Sequence, residues 1–257
     1  MKTEKQYHIN LSQRDASKYA IICGAPERVS QIASKLEQPH LITKNREFLT
    51  YSGYLNDERL LVTSTGIGGP SAAIAVEELS RIGVNTIIRV GTCGGIQLDI
   101  KPGDLIIASA AVRMDGTTKE YAPIEFPATA NYELTTALKE SCDEFAFKYH
   151  IGTIQSKDSF YGQHDPNNTA VSQTLLKKWD AWKRCGVLAS EMECSTLFIV
   201  SSIRKIRAGA VLQTIWNQER AGAGISDNDE FNTDNAVVAA VEAMKRIITA
   251  DKLKKDI

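Results

Sequence analysis

Several absences narrow what this chain of 257 residues can be. No run of about 18 apolar residues occurs, and Met1-Lys-Thr-Glu-Lys-Gln-Tyr7 contains no apolar export core, so a cytoplasmic protein with no membrane contact is expected. Charge of one sign is missing too. Thirty Lys and Arg face 31 Asp and Glu, interspersed, for a formal net charge of -1, which leaves no basic field for nucleic acid or an anionic membrane. Any anion site must therefore be local. The five cysteines (Cys23, Cys93, Cys142, Cys185, Cys194) are odd in number and form no Cys-x-x-Cys pair, which argues against a disulfide framework and a thiolate zinc site. None of the four histidines stands at metal-ligand spacing from another. No linker, repeat or low-complexity tract divides the chain, so one domain over residues 1–257 is expected. The polar segment 220–234, with glycines at 222 and 224, reads as a mobile loop able to close as a lid.

What the chain does contain is an alternation of apolar strand patterns with helical ones, on a hydrophobic content of 43%. Residues 18–24, 47–55, 59–65, 86–95, 103–113, 150–156, 187–190 and 208–215 read as strands. Helices are expected over 26–36, 71–81, 132–147, 174–184, 193–204 and 234–249. This pattern predicts an α/β fold, a three-layer α/β/α arrangement around a central mixed sheet.

The stretch Thr86-Ile-Ile-Arg-Val-Gly-Thr-Cys-Gly-Gly95 sets an arginine inside an apolar strand that runs into a glycine-rich turn. A buried arginine needs an anion. Arg89, the Thr92 hydroxyl and backbone N–H groups exposed by the glycines can hold a phosphate; a structural ion pair is the other reading. Gly24 ends the first strand, and Arg28 lies one helical turn beyond it, where a helix start already favours anions. Arg46 reads either as a strand-edge charge or as a phosphate ligand. Thr65-Gly-Ile-Gly-Gly-Pro-Ser71 resembles a dinucleotide fingerprint but carries Ser71 at the third glycine, and the following strand ends near Arg89 in place of an acid.

Two further segments carry chemistry. In Asp158-Ser-Phe-Tyr-Gly-Gln-His-Asp-Pro166, Phe160 offers a stacking ring, Gln163 an amide with both donor and acceptor, and His164 a titratable ring; an ordinary polar loop is the bland reading. In Ser190-Glu-Met-Glu-Cys194, Glu191 and Glu193 flank Met192 at a strand-to-helix junction. Either glutamate can cap the helix. Either can also bind ribose hydroxyls and stabilise an oxocarbenium-like ring, as in a paired-carboxylate glycosidase.

Taken in order, Gly24-x-Pro-x-Arg28, Arg46-Glu-Phe48, Ser64-Thr-Gly-Ile-Gly-Gly-Pro-Ser71, Arg89-Val-Gly-Thr-x-Gly94, Phe160-Tyr-Gly-Gln163 and Glu191-Met-Glu193 resemble the motifs of uridine phosphorylases in the nucleoside phosphorylase superfamily. The resemblance implies reversible phosphorolysis of uridine, and of deoxyuridine or thymidine, to uracil and a pentose 1-phosphate. It makes Arg89, Glu193 and Gln163 catalytic, and His164 is expected to join them in place of a family arginine. Gly24, Arg28, Arg46, Arg89 and Thr92 become phosphate ligands, with Arg46 supplied by a neighbouring subunit. His8, Phe160, Gln163, His164, Glu191, Met192 and Glu193 become nucleoside contacts, His8 reaching a partner's ribose. Glu47, Ile67 and Ser71 match a potassium site at a dimer interface. No other cofactor is implied, phosphate is the co-substrate, and a homo-oligomer is expected, with a dimer as the smallest active unit and a hexamer as the common form.

The chain departs from the family at the base end. The base-reading loop runs Gln163-His164-Asp165 where many relatives carry Gln-x-Arg, and Asn217-Gln218 stands where they carry Asn-Arg. His164 or Arg220 is the expected substitute. Purine nucleoside phosphorylases place an aspartate after the late strand; here Thr214-Ile-Trp-Asn-Gln218 has none, although Asp227 and Asp229 follow in the loop. A purine enzyme, a water-using nucleosidase and a non-catalytic nucleoside-binding module remain the alternatives.

Overall fold

The computed structural model describes residues 4–254. Ten strands form one mixed sheet: β1 (Tyr19–Cys23), β2 (Glu37–Asn45), β3 (Phe48–Leu55), β4 (Glu58–Ser64), β5 (Thr86–Gly95), β6 (Leu105–Met114), β7 (Ala128–Thr129), β8 (Tyr149–Lys157), β9 (Ala189–Glu191) and β10 (Arg207–Asn217). The helices are α1 (Pro26–Ala33), α2 (Gly69–Arg81), α3 (Thr117–Tyr121), α4 (Tyr132–Glu144), α5 (Phe160–His164), α6 (Ser172–Arg184), α7 (Cys194–Arg204), α8 (Gln218–Gly222) and α9 (Asp234–Leu253).

Alternation along the central strand explains the layering. In β5, Ile87 points to one face and Ile88 and Val90 to the other. The first face packs on Val76 and Leu79 of α2 and Leu197 and Ile199 of α7. The second packs on Val29 and Ile32 of α1, Leu134 and Leu138 of α4, and Val237 and Met244 of α9. Each such side chain, fully buried, stabilises the fold by about 1.5–3 kcal/mol. The expected mixed sheet with helices on both faces is thus present.

Three features escaped the strand patterns, the first being the two-residue β7 paired with β6. The edge strand β2 is largely exposed and carries no apolar alternation to announce it. The sheet also closes on itself, because β10 pairs with both β5 and β6 while β8 and β9 complete the ring back to β5. The hairpin between β3 and β4 turns at Asn56 and Asp57, both with left-handed φ (48° and 60°), as a two-residue turn between twisted strands requires.

Closure creates an opening. Along one edge, β5 runs parallel to β1 as far as Val90, opposite Cys23, and then takes up antiparallel β9 at Gly94 and Gly95. Between Val90 and Gly94 neither neighbour covers that edge. Such a change of partner at a strand end is where ligands bind in α/β sheets.

Candidate active site

A cavity of about 940 Å³ occupies this opening and is lined by Gly24, Arg28, Arg89, Thr92, Glu191, Met192 and Glu193 at one end and by Lys157, Phe160, His164 and Trp216 at the other. Strand ends supply the first group: β1 delivers Gly24, β5 delivers Arg89 and Thr92, and the β9–α7 junction delivers the glutamates.

Arg89 is 4% exposed. Its Nη2 donates to the Glu193 carboxylate and lies 3.4 Å from Glu191, while Nε and Nη1 are buried without a partner. Burial acts to strip its proton, but the Glu193 and Glu191 carboxylates outweigh that and hold its pKa above the ordinary value. The group is a fixed cation with two unused donors. Leaving a buried donor unsatisfied costs roughly 1–3 kcal/mol, an expense an anionic ligand removes. Gly91 is what lets the guanidinium fold back, since a Cβ there would sit 2.9 Å from Nη2. Arg28 lines the same end from the first turn of α1, and burial lowers its pKa, which an arriving anion would reverse.

The two glutamates divide the roles left open by the sequence. Glu191 accepts from the Glu193 N–H (2.8 Å), the Cys194 N–H (3.0 Å) and the Ser156 hydroxyl (2.5 Å), so its carboxylate caps the start of α7. Glu193 reaches instead to the Gly68 N–H at the start of α2 (2.6 Å) and to Arg89. It stands between the anion seat and the middle of the cavity.

The other end rests on α5, a five-residue helix capped by the Ser159 hydroxyl on the Gly162 N–H (2.9 Å). The His164 ring lies between Phe160 (centroids 4.2 Å) and Trp216 (5.2 Å). Its Nδ1 is buried without a partner, and burial, reinforced by Lys157, lowers its pKa. Lys157, at the end of β8, is 6% exposed; burial brings its pKa down to about 8 against the pull of Glu191 and Glu193. Sequence reading missed Lys157 and Trp216. Lys157 ends β8 after Gln155 and Ser156, without the apolar run that surrounds Arg89. Burial pushes the Cys93 thiol up to about 12, so this cavity cysteine is no thiolate nucleophile.

Several expected site residues lie elsewhere in the protomer. Gln163 faces an adjoining cavity of about 190 Å³ that shares Lys157, and its Oε1 accepts from the Ser190 hydroxyl (2.7 Å). His8 is held by Glu78 (Nδ1 to Oε1, 2.7 Å), and Arg46 is exposed on the turn between β2 and β3 with φ 53°; neither lines the large cavity. Glu47 and Ser71 are hydrogen-bonded to each other (3.0 Å), and Ile67, 76% exposed, reaches the cavity rim. Arg220 is not available to replace the missing base-loop arginine. Its Nε and Nη2 bind Asp227 (2.5 and 2.9 Å) and Nη1 the Leu98 carbonyl (2.6 Å), outside the cavity. The expected loop over 220–234 begins as α8, and its Asp229 and Phe231 do line the cavity.

Among the described residues no helix is long and apolar enough to cross a membrane. Residues 18–250 match the model of the phosphorylase superfamily. The chain is similar to a uridine phosphorylase of Treponema pallidum (47% identical, covering 97% of this chain and 96% of that one) and to one of Thermococcus kodakarensis (40%, covering 97% and 89%). It is also similar to a guanosine phosphorylase of Halorubrum lacusprofundi (37%, covering 96% and 99%). With a match across nearly its whole length, the chain belongs to the phosphorylase superfamily.

Proposed function

We propose that the protein is a pentosyltransferase that catalyses the reversible phosphorolysis of uridine to uracil and ribose 1-phosphate, with deoxyuridine and thymidine as related substrates. The observation that carries this reading is Arg89, a buried cation with two unpartnered donor atoms at the end of a cavity roomy enough for a nucleoside and an anion together. Hydrolysis needs no such anion seat. The similarity to uridine phosphorylases at 40–47% identity supports the pyrimidine substrate, and no observation favours a purine.

In this mechanism Arg28, Arg89, Thr92 and the Gly24 backbone hold phosphate beneath the sugar. Glu193 binds ribose hydroxyls beside Met192, and the base stacks at Phe160 with its carbonyl edge toward Lys157 and His164. Phosphate attacks C1′ as the C–N bond breaks, and the electron pair passes into the base. Lys157, still an ammonium below about pH 8, stabilises that charge. It supplies the cation that the missing arginines would have given. Glu191 acts through its cap on α7, which fixes Glu193.

His8 and Arg46 complete a neighbour's site in a homo-oligomer with a dimer as the smallest active unit. Mixing Arg28→Ala with Arg46→Ala protomers would restore some activity through hybrid sites; no recovery in mixed oligomers overturns that assignment. The carboxylate and hydroxyl oxygens of Glu47 and Ser71 suit a hard monovalent cation such as potassium, and replacement of potassium by choline in a thermal-unfolding series tests it.

The deciding experiment incubates the protein with uridine, thymidine, cytidine, inosine or guanosine, with and without phosphate, and measures free base. Uracil released only with phosphate is expected. Phosphate-independent release would make the protein a hydrolase, preferential purine release a purine enzyme, and no release a binding module.

A further inference from the structure

The two glutamates beside Arg89 do not claim it equally. Glu193 holds the guanidinium, while Oε2 of Glu191 stops 3.4 Å from the same Nη2. That is roughly 0.5 Å beyond the usual N–H···O separation. What holds Glu191 back is its own set of donors. Oε1 accepts from the Ser156 hydroxyl (2.5 Å) and the Cys194 N–H (3.0 Å), and Oε2 accepts from the Glu193 N–H (2.8 Å) and the same Cys194 N–H (3.0 Å).

Two of these donors are backbone groups of the α7 start; the third, the Ser156 hydroxyl, is a side chain. Ser156 stands opposite Glu191 in the parallel β8–β9 pair, so the two side chains leave the sheet side by side on one face. It is fully buried and lines neither cavity. Its proton has one destination. The Ser195 N–H donates to the Ser156 Oγ (2.9 Å) and cannot accept, and a carboxylate accepts without donating, so the serine hydroxyl points at Glu191. Ser195 is anchored in turn by its own hydroxyl on the fully buried Asp115 carboxylate (2.7 Å). The string from Asp115 through Ser195 and Ser156 therefore runs behind the large cavity and reaches it at Glu191.

We propose that Ser156 is a positioning residue for phosphate: by occupying Glu191 it withholds that carboxylate from Arg89 and leaves the unused guanidinium donors to the anionic substrate. The proposal rests on the phosphorolysis reading above. Without the hydroxyl, Oε1 loses one of its two donors, and in the same cluster Nε and Nη1 of Arg89 have no partner. A carboxylate that turned to them would be an internal competitor, an anion already in place that phosphate must displace. Saturating phosphate does displace it. Affinity for phosphate then suffers, and the chemical step does not.

Kinetics of Ser156→Ala, Glu191→Gln and the double variant test this, together with calorimetric titration of each protein with phosphate alone. Ser156→Ala is expected to raise KM for phosphate on the order of tenfold, the scale of one hydrogen bond to a charged group. KM for uridine and kcat at saturating phosphate should stay within about threefold of wild type, and the titration should show the same weakening as KM. On the Glu191→Gln background, whose amide carries no charge to compete, the serine substitution should weaken phosphate no further. An unchanged phosphate KM in Ser156→Ala, an equal rise in the uridine KM, or additive losses in the double variant would each overturn the proposal. The equal rise is what a merely loosened α7 would give, because Glu193 and the sugar would suffer along with phosphate. An unaltered protein that bound phosphate but released no uracil from uridine would instead overturn the phosphorolysis reading, and the titrations would still decide the role of Ser156.

Discussion

At the phosphate end of the cavity, Arg89, Glu191 and Glu193 stand on strand ends and a helix start, each 5% exposed or less and tied into a network that includes the Gly68 N–H and the Ser156 hydroxyl. At the base end, Phe160, Gln163 and His164 ride on a single turn of helix, and the segment carrying Asp229 and Phe231 is largely exposed. One end is preorganised by the sheet; the other joins two sheet residues, Lys157 and Trp216, to short surface elements. The difference suits the chemistry: phosphate is the same for every nucleoside, so its seat can be rigid, whereas base selection tolerates variation in pieces that the core does not hold.

The sharpest test of this contrast is Arg89→Met. It removes the fixed cation and leaves Glu191 and Glu193 buried side by side without it. Phosphorolysis should fall by about 1000-fold, at the top of the range for one transition-state contact, and stability by about 3–5 kcal/mol, as for a broken buried ion pair. Steady-state kinetics and denaturant unfolding measure both. An Arg89→Met protein with wild-type stability would show that the network is not what organises this end.

The same contrast governed how much could be read from the sequence. Thr86–Gly95 was legible because burial forces a pattern: an arginine within Ile-Ile-Arg-Val needs an anion, and Gly91 must lack a side chain for the guanidinium to fold back. The mixed sheet was equally legible from its apolar runs. Ring closure through β10 was not, since strand patterns record burial and not partners. Lys157 was overlooked because its role depends on β8 and β9 lying side by side, which places its ammonium on Ser190. Arg220 looked available only because Asp227, seven residues on, shows no sequence sign of pairing with it.

Lys157→Met is the corresponding test at the base end. Loss of the cation facing the departing base should lower kcat about 100-fold, less than Arg89→Met and with little change in stability, since a buried charge is removed along with its desolvation cost. The pH profile identifies the group. The depressed pKa means that the proton leaves near pH 8 instead of the usual lysine range, and the protonated form is the active one, so kcat/KM should be level below about 8 and fall above it. Lys157→Met should lose that alkaline limb. A limb that persists in the variant assigns it to another group.

His164→Ala should cost less, about tenfold in kcat, as for one hydrogen bond from a neutral ring that burial keeps uncharged at pH 7. Part of that loss would be packing, because the ring fills the space between Phe160 and Trp216. His164→Phe separates the two: it keeps the stack and removes the donor. If the phenylalanine variant recovers wild-type kcat, His164 serves the stack alone.

Arg220→Ala is expected to have the smallest effect and to decide between the two candidates for the missing arginine. Its guanidinium holds Asp227 and the Leu98 carbonyl and does not line the cavity, so kcat should stay within about twofold of wild type, the scale of a substitution that leaves the transition-state contacts intact. What it does hold is the start of the segment that brings Asp229 and Phe231 to the rim. Releasing that anchor should speed amide exchange between residues 222 and 230 and raise KM for the nucleoside more than it changes kcat. A large fall in kcat would mean that Arg220 leaves Asp227 during turnover and reaches the base. The base end would then owe its charge to a moving loop and not to the fixed ammonium of Lys157.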